Sequence, residues 1–245
     1  MKKIKFHSSN IYNNQIKDLQ PSPVKSVLPE WWKKASLFFK FPDGSFYEAG
    51  KDKETGKVEK GLGFKSCPAL LDSFSTGYVL KTPTDIMFVQ NDNVPYVIID
   101  NEYSAFCSER EEMPEFEAPH GYSKKHFHWW PNWGIEAPEG YSILVLNPIN
   151  RFDLPFLTVS GIIDSDKYTS SGLMPFFLKE GFSGMIPKGT PFAQIIPIKR
   201  EDWKSEFIYH DEKSISDRFE KTANMYRKPF GGIYKKSTWT RKNYE

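Results

Sequence analysis

Between Trp133 and Arg200 the chain repeats one arrangement four times: a short run rich in β-branched and aromatic residues, closed by turn residues. The runs are Tyr141 to Leu146, Phe156 to Ile163, Leu173 to Leu178 and Phe192 to Ile198. Around them lie Pro138-Glu139-Gly140, Asn147-Pro148, Asp164-Ser165-Asp166 and Pro187-Lys188-Gly189. Proline pre-sets φ, and glycine and aspartate tolerate tight backbone, so these are turns between strands. The apolar residues elsewhere lean on Phe, Tyr and Trp, with aromatics at 16%, which favours strands over helical bundles. The chain is therefore predicted to be all-β.

The organisation predicted around that core has three parts. Residues 1–66 form an irregular N-terminal segment and a charged loop, residues 67–200 the β core, and residues 201–245 a short helix and a tail. Pro21-Ser22-Pro23 excludes helix in the first part. Leu28 to Lys34 reads as a short helix opened by Pro29. Its adjacent Trp31 and Trp32 cannot share a face, so one could cover the core while the other meets a neighbouring chain or segment; the plainer reading, both as core or lid residues, is preferred. Residues 42–63 are charged and glycine-rich, as a hairpin tip is. Tyr78 to Leu80, Asp85 to Gln90 and Tyr96 to Asp100 read as successive strands of a meander, and residues 101–132 as a long irregular segment. Near the end, Ser214 to Tyr226 reads as a helix capped by Ser214.

Charge narrows the function classes. With 33 basic and 31 acidic residues the net charge is +2, so no global field draws the chain to nucleic acid or to an anionic membrane. Two cysteines, Cys67 and Cys107, are too few for a disulfide scaffold, and Cys67 reads as a buried small hydrophobe. No window has the roughly 18 apolar residues of a membrane span and no signal peptide is evident, so a soluble intracellular protein is expected. Glu109, Glu111, Glu112, Glu115 and Glu117 form an acidic run, followed by His120, His126 and His128. His126 and His128, two apart on a strand, could ligate a metal with a carboxylate from elsewhere. The plainer reading, polar members of an aromatic-rich segment, is preferred because no third ligand stands at a recognisable spacing.

Four segments, GYVLKTPTD from Gly77, GIEAPEGY from Gly134, GIIDSDKY from Gly161 and IPKGTPFAQII from Ile186, occur in the order of the trimeric dUTPases and their dCTP-deaminase relatives. The chain thus resembles the dUTPase-like β-clip, a distorted barrel, with an insertion at 91–132. The resemblance implies that Asp164 activates water and Tyr168 packs on a nucleotide base and sugar, with Asp166 completing the acidic motif. It sets Gln194 near phosphate and implies Mg²⁺ as cofactor for a hydrolase. The phosphate cradle would fall on Asn147, Asn150 and Arg151, but here Pro148 lacks the N–H that a cradle needs. Lys167 also intervenes before Tyr168.

A second resemblance covers nearly the whole chain to Trp203. SVLPEWWKK, KSCPALLDSFSTGYVL, APEGYSILVLNPINRFDLPF and IPKGTPFAQIIPIKREDW are similar to a family of marine bacteriophage proteins, itself distantly similar to a bacterial domain of unknown function. It implies a viral origin, with host cytoplasm or virion as the location. Together the readings favour a non-catalytic structural or interaction protein, homo-oligomeric with a trimer favoured, contacting other phage proteins. A dUTPase-like deoxynucleoside triphosphate pyrophosphatase, or a nucleotide binder reusing its pocket, is the alternative. Lys228, Lys235, Lys236, Arg241 and Lys242 interleave with Phe230, Tyr234, Trp239 and Tyr244. An arm on a neighbouring subunit is preferred there over a single-strand nucleic-acid surface.

Overall fold

The computed structural model describes residues 2–8, 19–51, 56–110, 116–169, 172–226 and 238–245. Glu111, Glu112, Glu115 and the tail residues from Lys228 to Lys236 lie outside them. In chain order the strands are β1 (Lys5–His7), β2 (Ser22–Pro23), β3 (Glu48–Lys51), β4 (Val58–Lys60), β5 (Tyr78–Lys81), β6 (Ile86–Asn91), β7 (Val94–Ile99) and β8 (Cys107–Glu109). They continue with β9 (Tyr122–Trp129), β10 (Gly134–Glu136), β11 (Tyr141–Leu146), β12 (Phe156–Thr158), β13 (Gly161–Ile163), β14 (Met174–Lys179), β15 (Gly184–Ile186) and β16 (Pro191–Lys199). The α-helices are α1 (Glu30–Lys34), α2 (Pro68–Ser73) and α3 (Glu212–Tyr226). The chain is all-β with few helices, as its turn pattern requires. No described helix is long and apolar enough to cross a membrane.

Two compact units form. The first comprises Met1–Val27, Gly77–Glu201 and Tyr244–Glu245, the second Leu28–Thr76 and Asp202–Asn243. In the first, antiparallel sheets run β13-β11-β16-β5-β2, β12-β14-β9-β8, β15-β6-β7 and β1-β10. The five- and four-stranded sheets share one core, with Leu80, Ile143, Val145 and Ile195 from one and Phe127, Trp129, Phe156 and Phe176 from the other. Trp129 sits at its centre: its ring stacks on Phe176 with centroids 3.7 Å apart, and its Nε1–H donates to Thr158 Oγ1 at 3.1 Å. Thr158 Oγ1 in turn donates to the Phe192 carbonyl at 2.6 Å, tying β12 to β16.

Three expectations are corrected here. Residues 101–132 are not irregular throughout: β9 is an inner strand of the four-stranded sheet, carrying buried Phe127 and Trp129. The run Phe156 to Ile163 is two strands, because β12 pairs with β14 while β13 pairs with β11. The expected meander is broken, since β5 pairs with β16 and β2, and only β6 and β7 form a hairpin. The hairpin turns on Asp92 and Asn93, with φ of 50° and 63°, as a two-residue turn with both central residues left-handed demands.

In the second unit α1 buries Trp32 against Phe74, with ring centroids 4.4 Å apart, and leaves Trp31 partly outside. Trp31 packs edge-on against Trp32 and Phe74, with ring centroids 5.7 Å away in both cases. Strands β3 and β4 pair antiparallel, and residues 52–55 lie outside the described residues. Cys67 is exposed ahead of α2, not buried, because Pro68 takes the first helical position and leaves Cys67 as its N-cap. Helix α3 forms where predicted, but its cap is Asp211: the Ser214 N–H donates to Asp211 Oδ1 at 2.7 Å.

Candidate functional site

The turn Asp164-Ser165-Asp166 closes β13 and returns the chain beside the start of β11. Lys167 and Tyr168 N–H groups both donate to the Asp164 carbonyl, at 3.0 and 3.1 Å. Ala137 N–H donates to the buried Ser165's carbonyl at 3.2 Å. This local winding turns both carboxylates toward one cation, Arg200, which follows β16 directly.

Arg200 Nη1 donates to Asp166 Oδ1 at 2.8 Å and Nη2 to Asp166 Oδ2, while the Gly140 N–H reaches Asp166 Oδ2 at 2.9 Å. Nη1 also donates to the Tyr141 carbonyl at 3.1 Å and Ser142 Oγ at 3.2 Å, and lies 3.3 Å from Asp164 Oδ1. Ser142 Oγ donates to Asp164 Oδ1 at 2.6 Å. The fork of one guanidinium on one carboxylate fixes geometry as well as charge. The two acids differ in access: the Asp166 side chain is 5% exposed and that of Asp164 53%.

The charge state follows from these contacts. The Arg200 hydrogen bonds, helped by the Gly140 N–H, hold the Asp166 carboxyl down at about 2. Asp164 is held below the ordinary carboxylate range chiefly by the Ser142 hydroxyl, then by the Arg200 and Lys167 charges. Both acids are therefore ionised at neutral pH, and Asp166 is a poor proton acceptor there, since a general base works best with a pKa near the operating pH. Because folding depresses the Asp166 pKa, its stabilising contribution is full above about pH 3.8, the unfolded value, and is lost as pH falls through about 2. Asp166→Asn should remove that part of the acid sensitivity, so its urea midpoint should fall less than the wild type's between pH 5 and 2; parallel curves would contradict the assignment.

The other candidates stand elsewhere. Tyr141 pairs with Lys199 at the acid end of β11, and Leu146 pairs with Gln194 at the opposite end, roughly 17 Å along the strand at about 3.4 Å per residue. Gln194 is buried and its Oε1 accepts the Ile149 N–H at 3.0 Å. Asn147 Oδ1 accepts the Thr158 N–H at 3.0 Å. Asn150 takes a φ of 58°, turning the loop. Arg151 forks onto Asp153 through Nε and Nη2, both at 2.8 Å, and Nη1 donates to the Val27 carbonyl at 3.2 Å. Asn147, Arg151 and Gln194 thus hold the 147–153 loop to its own neighbours. Tyr168 is 60% exposed, beyond the acidic turn.

His126 and His128 lie on β9, a third location. His126 is buried between Phe116 and Phe177, with ring centroids 5.5 and 5.6 Å away. His128 Nε2 pairs with Ser108 Oγ at 2.9 Å, and burial, followed by the Arg110 and His126 charges, lowers its pKa. Among the described residues no group of three or more His, Cys, Asp or Glu side chains could hold a metal ion. The acidic turn does not fit Mg²⁺ either: a cation there would face the Arg200 guanidinium, which already occupies both oxygens of Asp166.

Reasoning from sequence missed Ser142 and Arg200. Both lie inside segments that carry a resemblance, but neither is given a role there; the signal that brings them to Asp164 is register, since β11 pairs with β13 on one side and β16 on the other.

Fold and site together define an antiparallel all-β protein with a carboxylate–arginine lock at one end of its five-stranded sheet. No family model matches this chain, and no curated protein matches it. Among solved structures it is similar to a mutant dUTPase from phage phi11 of S. aureus, described with a coordinated structural Mg(II) ion. The identity is 10% and the TM-score 0.31, over 56% of this chain and 86% of that one. A likeness of that size carries no inference about activity.

Proposed function

We propose that this chain is a phage-encoded β module that acts without catalysis, assembling with copies of itself and with other phage proteins. One observation carries the reading. Residues 201–211 belong to no helix or sheet and every one of them is exposed, including Trp203 at 87%, Phe207 at 79%, Ile208 at 68% and Tyr209 at 92%. Scattered surface apolar residues are normal, but Phe207, Ile208 and Tyr209 are consecutive and all exposed, and contiguous exposed apolar surface marks an interaction site. Supporting it, Arg200 engages Asp166 on both oxygens, and the 147–153 loop spends its polar groups internally. A trimer follows from the β-clip resemblance, and virion association from the phage resemblance.

The alternative reading, a nucleotide hydrolase or binder, draws support from the half-exposed Asp164 carboxylate beside exposed Tyr168. One experiment separates the two: mass in solution, with thermal melting against deoxynucleoside triphosphates with and without Mg²⁺. The expected result is a mass that is a multiple of 28.4 kDa and no nucleotide shift. A nucleotide at a hundred times its Kd would add about 2.7 kcal/mol and be plainly seen. Such a shift, with turnover abolished in Asp164→Ala, would overturn the non-catalytic reading.

A further inference from the structure

The sheet β15-β6-β7 presents an outward face that an antiparallel sheet in water does not normally have. Such sheets alternate apolar inward and polar outward. Here the inward positions Ile86 and Phe88 are fully buried, yet the outward ones are apolar too. Met185, Met87 and Ile98 stand in one row across the three strands, because Met185 pairs with Met87 and Met87 with Ile98. They are 51%, 38% and 57% exposed. The next row places Val89 beside Tyr96, and the Tyr96 ring is capped at 4.1 Å by Lys125 Nζ. Among the described residues, β15 at the side of this face pairs with β6 alone.

Residues 201–211 supply what that face lacks. Docked as an extended strand, in which side chains alternate with period two, this arm would bring Trp203, Phe207 and Tyr209 to one side. Buried aromatic side chains cover about 150–250 Å² each, so the three rings would cover roughly 450–750 Å², close to the roughly 800 Å² per partner of a stable protein interface. The backbone of this arm, which lies in no helix or sheet, can also extend a sheet at a free edge, the mode by which extended segments add to sheets.

We infer that the arm of one copy docks on the Met185/Met87/Ile98 face of a second copy, running beside β15. The inference rests on the self-assembly reading above and names its receiving surface. An arm-to-face contact is heterologous, and closes either by reciprocal exchange between two chains or as a ring.

The test uses full-length chains and two sets of substitutions. Trp203→Ala with Phe207→Ala disables the arm; Ile98→Thr with Met185→Thr disables the face while keeping strand-forming side chains. Circular dichroism and melting establish that each variant is folded. Wild type is expected to sediment as an oligomer and each variant as a single chain, with association weakened at least tenfold. Mixing the two variants should restore one arm–face contact and give a species of two chains. If the face variant remains oligomeric while the arm variant does not, the docking face is wrong and the self-assembly reading stands. If the arm variant alone remains oligomeric, or both do, or the mixture stays as single chains, the docking inference is overturned. If wild type itself is a single chain, the self-assembly reading fails and takes the inference with it.

Discussion

Trp129→Ala should cost about 4–6 kcal/mol of unfolding free energy, the largest effect of any single side chain in the β core. Truncating a buried tryptophan typically costs about 3–5 kcal/mol in lost transfer energy and residual cavity. This site cannot collapse easily, because the ring contacts rings from several elements: Phe176 at 3.7 Å, Phe192 at 5.2 Å, Phe156 at 5.3 Å and Phe106 at 5.7 Å. Losing the bond from Nε1 to Thr158 adds about 1 kcal/mol. A typical domain has only about 5–15 kcal/mol in all, so the variant should be marginal. Urea unfolding checks this, with Trp129→Phe as the conservative companion. A loss below about 2 kcal/mol for Trp129→Ala would mean that the core closes over the gap and that the ring is not its keystone.

Gly77→Ala should cost more than about 3 kcal/mol through the backbone rather than through a lost contact. Gly77 has a φ of +82°, and a Cβ there would meet the Ile195 carbonyl oxygen at 2.1 Å and Ile196 Cγ1 at 2.9 Å. The left-handed conformation costs an L-residue about 1–2 kcal/mol. The clash adds to that, because the obstacle is the backbone of β16, which β5 must pair with immediately afterwards. Gly140→Ala is the control. It has a φ of +78° but nothing within 4 Å of the added methyl, so only the conformational cost of about 1–2 kcal/mol applies. Equal melting shifts for the two variants would show that β16 yields to the methyl and that the approach is not tight.

Part of the candidate site was legible in sequence because it is local. Asp164, Asp166 and Tyr168 sit within one turn, and a turn is specified by its own residues, so their proximity could be read directly. What Asp166 does was not legible, since its partners Gly140 and Arg200 come from other segments. Gln194 and Asn147 were associated only through the dUTPase-like resemblance, which implies phosphate near both. That their side chains face into the fold and hold Ile149 and Thr158 depends on which faces the two sheets bury against each other.

The sequence by itself determined the elements whose signal is periodic or punctuated: β11, β14 and β16, and the helix α3. Alternation and turn residues act over a few positions, so they survive in a bare string. Only the tertiary structure decided where each strand goes. Phe156 to Ile163 looks continuous because both halves are apolar and β-branched, yet the chain changes sheets at Val159 and Ser160, where the Val159 N–H donates to Pro175 at 2.8 Å. Strand β9 hid within an aromatic and histidine-rich stretch, because His126 is buried by Phe116 and Phe177 on one face while Phe127 and Trp129 are buried on the other. With both faces covered, polarity no longer alternates with burial. The arginine lock was decided the same way. Pairing partners far apart in the chain are chosen by the summed burial of whole faces, and no short window of sequence carries that sum.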